Sequence, residues 1–204
     1  MTAEMSSKTD PRVIRTRKLI EEAFIAFYRT KPLKDITVSD ITTAAGINRA
    51  TFYKHFQDKF ALYDSYIKTC FDEYLGRYLP EDAPLNKENF RHLTYATILF
   101  IKDWQATRTV ITDQTDTITE TRVQQTVFDQ IMYWIEPNYM KGPCDAGAEV
   151  AASAVSWAVF GVGVRLAQQK ADISVEDVTD ELVRMLTGGL WNALVDIHEK
   201  AFGK

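Results

Sequence analysis

Apolar residues recur every three to four positions along most of this 204-residue chain, and Pro, Gly and helix-capping residues stand between the runs. Ile20, Ala23, Phe24 and Phe27 form the first stripe. Asp10-Pro11 opens it as N-cap and first helical residue, and Pro32 closes it, which predicts a helix from Asp10 to about Thr30. Val38, Ile41 and Ala45 share one face behind a Thr37/Asp40 capping-box pattern, and Gly46 ends that short helix by adopting left-handed backbone. Asn48 caps a second short helix, Arg49 to Phe56, whose Phe52 and Phe56 lie one turn apart and face inward. A fourth helix, from Asp58 to about Tyr78, carries Phe60, Tyr63, Ile67, Cys70 and Tyr74 along one side.

After Pro80 and Pro84 the helical period resumes. Asn86 caps a helix to Trp104 with Phe90, Leu93, Ile98 and Ile101 inside. Residues 106–119 are threonine-rich and lack a firm period. Their propensity suits a strand, but no partner strand exists in so helical a chain, so a short helix and a turn are expected. Val123, Val127, Ile131 and Trp134 mark the next helix, closed by Pro137 and Gly142-Pro143. Over 146–169, Ala148, Ala152, Val155, Val159, Val162 and Leu166 form a coiled-coil-like seam, with small residues elsewhere on the helix. Ser174 and Asp177 open another helix with Val175, Val178, Leu182 and Met185 in step. Gly188-Gly189 interrupts, and a last amphipathic helix is expected over Leu190–Phe202. The fold class is all-α, with about nine to ten helices.

Composition narrows the possibilities. Hydrophobic residues make up 46% of the chain, enough for a substantial core. No run of 18 apolar residues and no secretory h-region is seen, so neither a membrane span nor a signal peptide is expected. Cys70 and Cys144 lack metal-type spacing and read as reduced cytoplasmic thiols; no metal or cofactor is expected. His92 and His198 stand without a Cys, Ser or carboxylate constellation, and no HExxH, P-loop or GxSxG motif occurs, which speaks against an enzyme. The net charge of −4 argues against a nucleic-acid partner until it is divided. Residues 1–60 hold 11 Lys/Arg against 7 Asp/Glu, while the remainder holds 13 against 21. A basic head and an acidic body suit a protein that meets DNA with one end.

The run Thr37-Val38, Ile41, Ala44-Ala45-Gly46-Ile47, Thr51-Phe52-Tyr53, His55-Phe56, Lys59, Leu62 resembles the signature of the TetR-type transcriptional regulators, over roughly the first 65 residues. Ala50, Phe60 and Asn48 stand where that family often has Gly, Glu and Ser. The resemblance implies a three-helix helix–turn–helix head over 10–57 and a larger effector-binding and dimerisation body over 58–204. It places Arg49, Ala50, Thr51 and Lys54 at base edges, beside the cap Asn48, and Thr37, Tyr53, His55 and Lys59 at phosphates of a double-stranded operator.

The two helices near the C-terminus look like that family's dimerisation pair. Ala152, Val155, Val159, Val162, Leu166, Val178, Leu182 and Met185 are then the expected contact with a second copy. The family plan also implies a pocket for a small, mostly apolar effector, for which Tyr74, Phe100, Trp104, Trp134 and Trp157 are the aromatic candidates. Expected function is that of a cytoplasmic repressor, homodimeric on a palindromic operator and released by its effector. The alternative is a DNA-binding adaptor of the same fold that takes no effector and docks a protein partner.

Overall fold

The computed structural model describes residues 10–106, 115–135, 146–169 and 173–202, and every regular element among them is helical. The chain divides into two compact units, Met1–Ile67 with Val110–Ile118 and Lys68–Thr109 with Thr119–Lys204.

The first unit holds α1 (Pro11–Tyr28), a 3-10 turn (Leu33–Asp35), α2 (Val38–Ala44), α3 (Arg49–His55) and the start of α4 (Lys59–Leu75). Each start has its own cap. Asp10 accepts the Arg12 amide at 2.8 Å, with Pro11 in the first turn. Thr37 and Asp40 complete a reciprocal capping box. Asn48 Oδ1 accepts the Thr51 amide at 2.7 Å, and Asp58 Oδ1 accepts the Phe60 and Ala61 amides. Between α2 and α3, Gly46 has φ +66°, Gly46 N–H donates to Thr43 O, and Ile47 N–H donates to Thr42 O. These two bonds are a Schellman ending, for which a left-handed glycine is the low-cost residue. Ile20, Phe24, Leu33, Ile36, Ile41, Phe52 and Leu62 are buried, and α2 packs on both α1 and α3. Phe24, Tyr28, Tyr63 and Tyr66 stack and tilt against one another at centroid separations of 5.3–6.4 Å.

The second unit continues α4 and adds α5 (Lys87–Ala106), α6 (Thr115–Ile135) from Thr119 onward, α7 (Ala146–Gln168) and α8 (Val175–Phe202). α5 is its centre and packs on both α7 and α8. At Gly163 the helices come so close that an added Cβ would stand 2.8 Å from Ile101 Cδ1. Tyr95 donates to Glu176 at 3.0 Å, and Arg91 pairs with Asp180, so polar bonds border the α5–α8 contact. Trp134 Nε1 donates to Ala83 O at 2.7 Å, and Gln124 Nε2 donates to Ser156 Oγ at 2.9 Å.

Three expectations change here. The described chain has eight α-helices, because α8 runs without a break through Gly188-Gly189. Glycine in a helix costs about 1 kcal/mol relative to alanine but ends one only where it turns left-handed, and Gly46 is the sole positive-φ glycine among the described residues. Of the unclear 106–119 stretch, 107–114 lies outside the described residues and Thr115–Thr119 belongs to α6. The third change concerns α7. Ala148, Ala152, Val155 and Val159 are fully buried and Leu166 nearly so, so the seam read as a contact for a second copy is covered by the chain's own helices. Val162 is half-buried. On α8, Leu182 is likewise buried and Val178 half-buried, whereas Met185 is exposed. Among the described residues α7 is also the one helix long and apolar enough to cross a membrane by length and composition, with mean hydropathy 1.6. Its inward seam accounts for much of that apolarity.

Candidate nucleic-acid interface

α3 is short, and its orientation is fixed from behind. Phe52 is fully buried and Phe56 almost so, their rings 6.0 Å apart. At 3.6 residues per turn, this anchoring turns Arg49, Tyr53, Ala50 and Lys54 outward within a sector of about 140°. All four are exposed, Tyr53 with its ring edge-on to Phe52 at 5.5 Å. The exposed surface of the helix thus carries a fork of guanidinium donors at its N-terminal end, a small residue, a phenol and an ammonium.

The other expected contacts divide. Thr37 and Asn48 are exposed, but both act as caps: Thr37 Oγ1 accepts the Asp40 amide, and Asn48 Oδ1 accepts both the Thr51 amide and the Thr51 hydroxyl, the latter at 2.9 Å. Thr51 is half-buried, and its hydroxyl is committed to that cap rather than turned outward. His55 is half-buried on the side away from Arg49. Burial, then the neighbouring Arg17 charge, pushes its pKa below the usual imidazole value, so it is neutral near pH 7. Lys59 departs most from expectation. Its ammonium donates to Leu33 O at 2.8 Å and to Lys34 O and Ile36 O at 2.9 Å.

Arg17, one of the cations of the basic head, had no individual role legible in the sequence. Its Nε meets Glu21 at 3.0 Å, its Nη2 donates to Ser65 at 2.6 Å, and its guanidinium lies 4.5 Å over the Phe56 ring. Arg17 therefore joins α1 and α4 and supports the end of α3 from below. The i,i+4 spacing to Glu21 was the visible signal. Its partners Ser65 and Phe56 lie too far along the chain to leave one.

Of the aromatic candidates in the second unit, three come together. Phe100 stacks on Trp104 at 5.6 Å and meets Tyr74 at 5.4 Å and Phe71 at 4.9 Å. Tyr74 donates its hydroxyl to Asp103 at 2.7 Å. Trp134 stands apart as a buried pin on Ala83, and Trp157 is exposed on α7 beside Phe160.

The profile of the bacterial regulatory proteins of the tetR family matches residues 25–66, from the end of α1 through the first half of α4. An uncharacterized HTH-type transcriptional regulator of Bacillus subtilis (strain 168), YxbF, is 34% identical over 82 residues, which is 40% of this chain and only 22% of the relative's own length. Among solved structures, a TetR transcriptional regulator from Streptococcus agalactiae 2603V aligns with TM-score 0.50 at 17% identity, covering 89% of this chain and 98% of that one. A candidate transcriptional regulator from Pseudomonas aeruginosa PAO1 aligns with TM-score 0.51 at 14% identity, covering 89% and 93%. At such identities these structures speak for the fold alone. The family match falls on the helices that build the α3 surface, and residues 25–66 are a helix–turn–helix head of the TetR type found in bacterial transcriptional regulators.

Proposed function

We propose that the chain is a repressor that binds a palindromic double-stranded operator as a homodimer and is released by a small, mostly apolar effector. The observation that carries this reading is the outward face of α3, where Arg49, Ala50, Tyr53 and Lys54 stand exposed on a helix held from behind by Phe52. A helix so presented suits the major groove, with Arg49 reading a guanine, Ala50 and Lys54 beside it, and Tyr53 and the exposed start of α2 at Thr37 on phosphates.

A reader of two half-sites needs two heads. With the inner seam of α7 already covered, a second copy meets the opposite face. There Val150, Ala154, Trp157 and Gly161 line up at i, i+4, i+7 and i+11, all exposed, with Met185 exposed on α8. Gly161 has open space at its Cβ position, which lets another helix approach closely. The cluster of Phe71, Tyr74, Phe100 and Trp104 supplies stacking faces for an aromatic or apolar effector. Its binding shifts the dimer's population away from a head spacing that fits half-sites about 34–36 Å apart. The cytoplasm is the compartment in which such a protein acts.

The test is selection of duplexes from a random pool by the full chain at low salt, followed by footprinting of the DNA upstream of its own gene. A palindrome with half-sites about one helical turn apart, protected by the chain and released by an apolar small molecule, is the expected result. Recovery of no duplex overturns the reading.

A further inference from the structure

Lys59 is the first-turn lysine that the family resemblance assigns to a phosphate, and its geometry points to another role. An ammonium carries three N–H donors and no acceptor. Three carbonyl oxygens, of Leu33, Lys34 and Ile36, lie at 2.8, 2.9 and 2.9 Å from Nζ. Every donor therefore already has a partner of good length. The Phe60 ring, 5.4 Å from Nζ, borders the same charge. The three carbonyls belong to the single 3-10 turn that leads from α1 into the Thr37 cap of α2. Leu33 and Ile36 of this turn are buried, so their carbonyls need partners that the short turn itself does not fully supply.

We propose that Lys59 is the positioning residue of the DNA head: its ammonium gathers the Leu33–Ile36 carbonyls, fixes the turn on the first residue of α4, and thereby sets where α2 presents its N-terminus to the phosphate backbone, without itself touching DNA. The proposal rests on the operator-binding reading above. It differs from a phosphate role in two measurable ways. A phosphate ligand releases counterions, so its removal lowers the slope of log affinity against log salt by about 0.9. A phosphate ligand is also replaced well by arginine, whereas a planar guanidinium cannot direct three N–H groups to three oxygens converging on one point.

The experiment uses the full chain, a duplex selected by the unaltered chain, and a salt series read by fluorescence anisotropy, for Lys59→Met and Lys59→Arg. Both variants are expected to lose roughly tenfold or more in affinity with the salt slope unchanged. Amide exchange at Asp35 and Ile36 should speed up in both. A slope lowered by about one charge in Lys59→Met, or full affinity in Lys59→Arg, overturns the proposal. Should either variant fail to fold, the unaltered chain labelled with 15N-lysine decides. A slowly exchanging Lys59 ammonium signal present before DNA is added, and unmoved by it, supports the proposal; one that appears only with DNA overturns it. Failure of the unaltered chain to select any duplex is a different result and strikes the operator reading alone.

Discussion

Lys31 Nζ stands 3.0 Å from Asp40 Oδ2, and the same carboxylate oxygen accepts the Thr37 amide at 2.9 Å. One carboxylate thus closes the capping box of α2 and ties the end of α1 to it. The Thr37 amide bond, then the Lys31 bond, lower the Asp40 pKa from 3.8 to about 2. A carboxylate depressed in the folded chain stabilises it above the unfolded value and loses that contribution as pH falls through the folded value. Stability of the head should therefore decline between about pH 4 and pH 2 partly through this group. Chemical denaturation across that window should show a shallower decline in Asp40→Asn than in the unaltered chain. Equal slopes would detach Asp40 from acid stability.

Arg49 is the donor fork at the N-terminal end of the outward face of α3. Replacing it with alanine should cost about 1–3 kcal/mol at one base pair of the operator and relax the preference there, leaving other positions unchanged. Duplex selection repeated with Arg49→Ala reads this directly. An unchanged preference at every position would remove Arg49 from base reading.

What the sequence revealed and concealed follows from distance along the chain. Asp10, Thr37, Asn48 and Asn86 are legible as caps because a cap and its amide lie two or three residues apart, and all four accept such amides here. The inward pair Phe52 and Phe56 is legible for the same reason. Lys59 reaches carbonyls 23–26 residues away, and Arg17 reaches Ser65 48 residues away, so neither partner leaves a local trace. On α7 the limit is different. Both faces carry small and apolar residues in helical register, and a helix apolar all round offers no period that tells its inner stripe from its outer one. The regular Ala152–Leu166 seam is the inner one.

That division makes a paired prediction. Trp157 is 59% exposed, while Val159, two residues on, is fully buried. Trp157→Asp should leave the subunit folded but weaken self-association by about 2 kcal/mol or more, as loss of an aromatic anchor does. Val159→Ala should do the reverse, lowering subunit stability by about 2 kcal/mol through lost methyls and a cavity. Sedimentation velocity and denaturant unfolding, run on both, separate the effects. A Trp157→Asp chain with undiminished self-association would place the interface elsewhere.

Two glycines on α7 test the same geometry from the backbone side. A Cβ at Gly163 would meet Ile101 Cδ1 at 2.8 Å and Ile98 Cα at 3.5 Å, so Gly163→Ala must push α5 away or force Ile101 off its rotamer. Such overpacking costs about 1–3 kcal/mol and outweighs the gain of about 1 kcal/mol that alanine brings to a helix. At Gly161 no atom lies within 4 Å of the added Cβ, so Gly161→Ala should stabilise the single subunit by that helical gain. If a second helix packs there in the dimer, a larger side chain should act differently: Gly161→Leu should bring the subunit a similar helical gain while driving the copies apart. Unfolding followed at dilute and concentrated protein distinguishes the cases. A Gly161→Leu chain as dimeric as its parent would show that no second helix approaches α7 at this point.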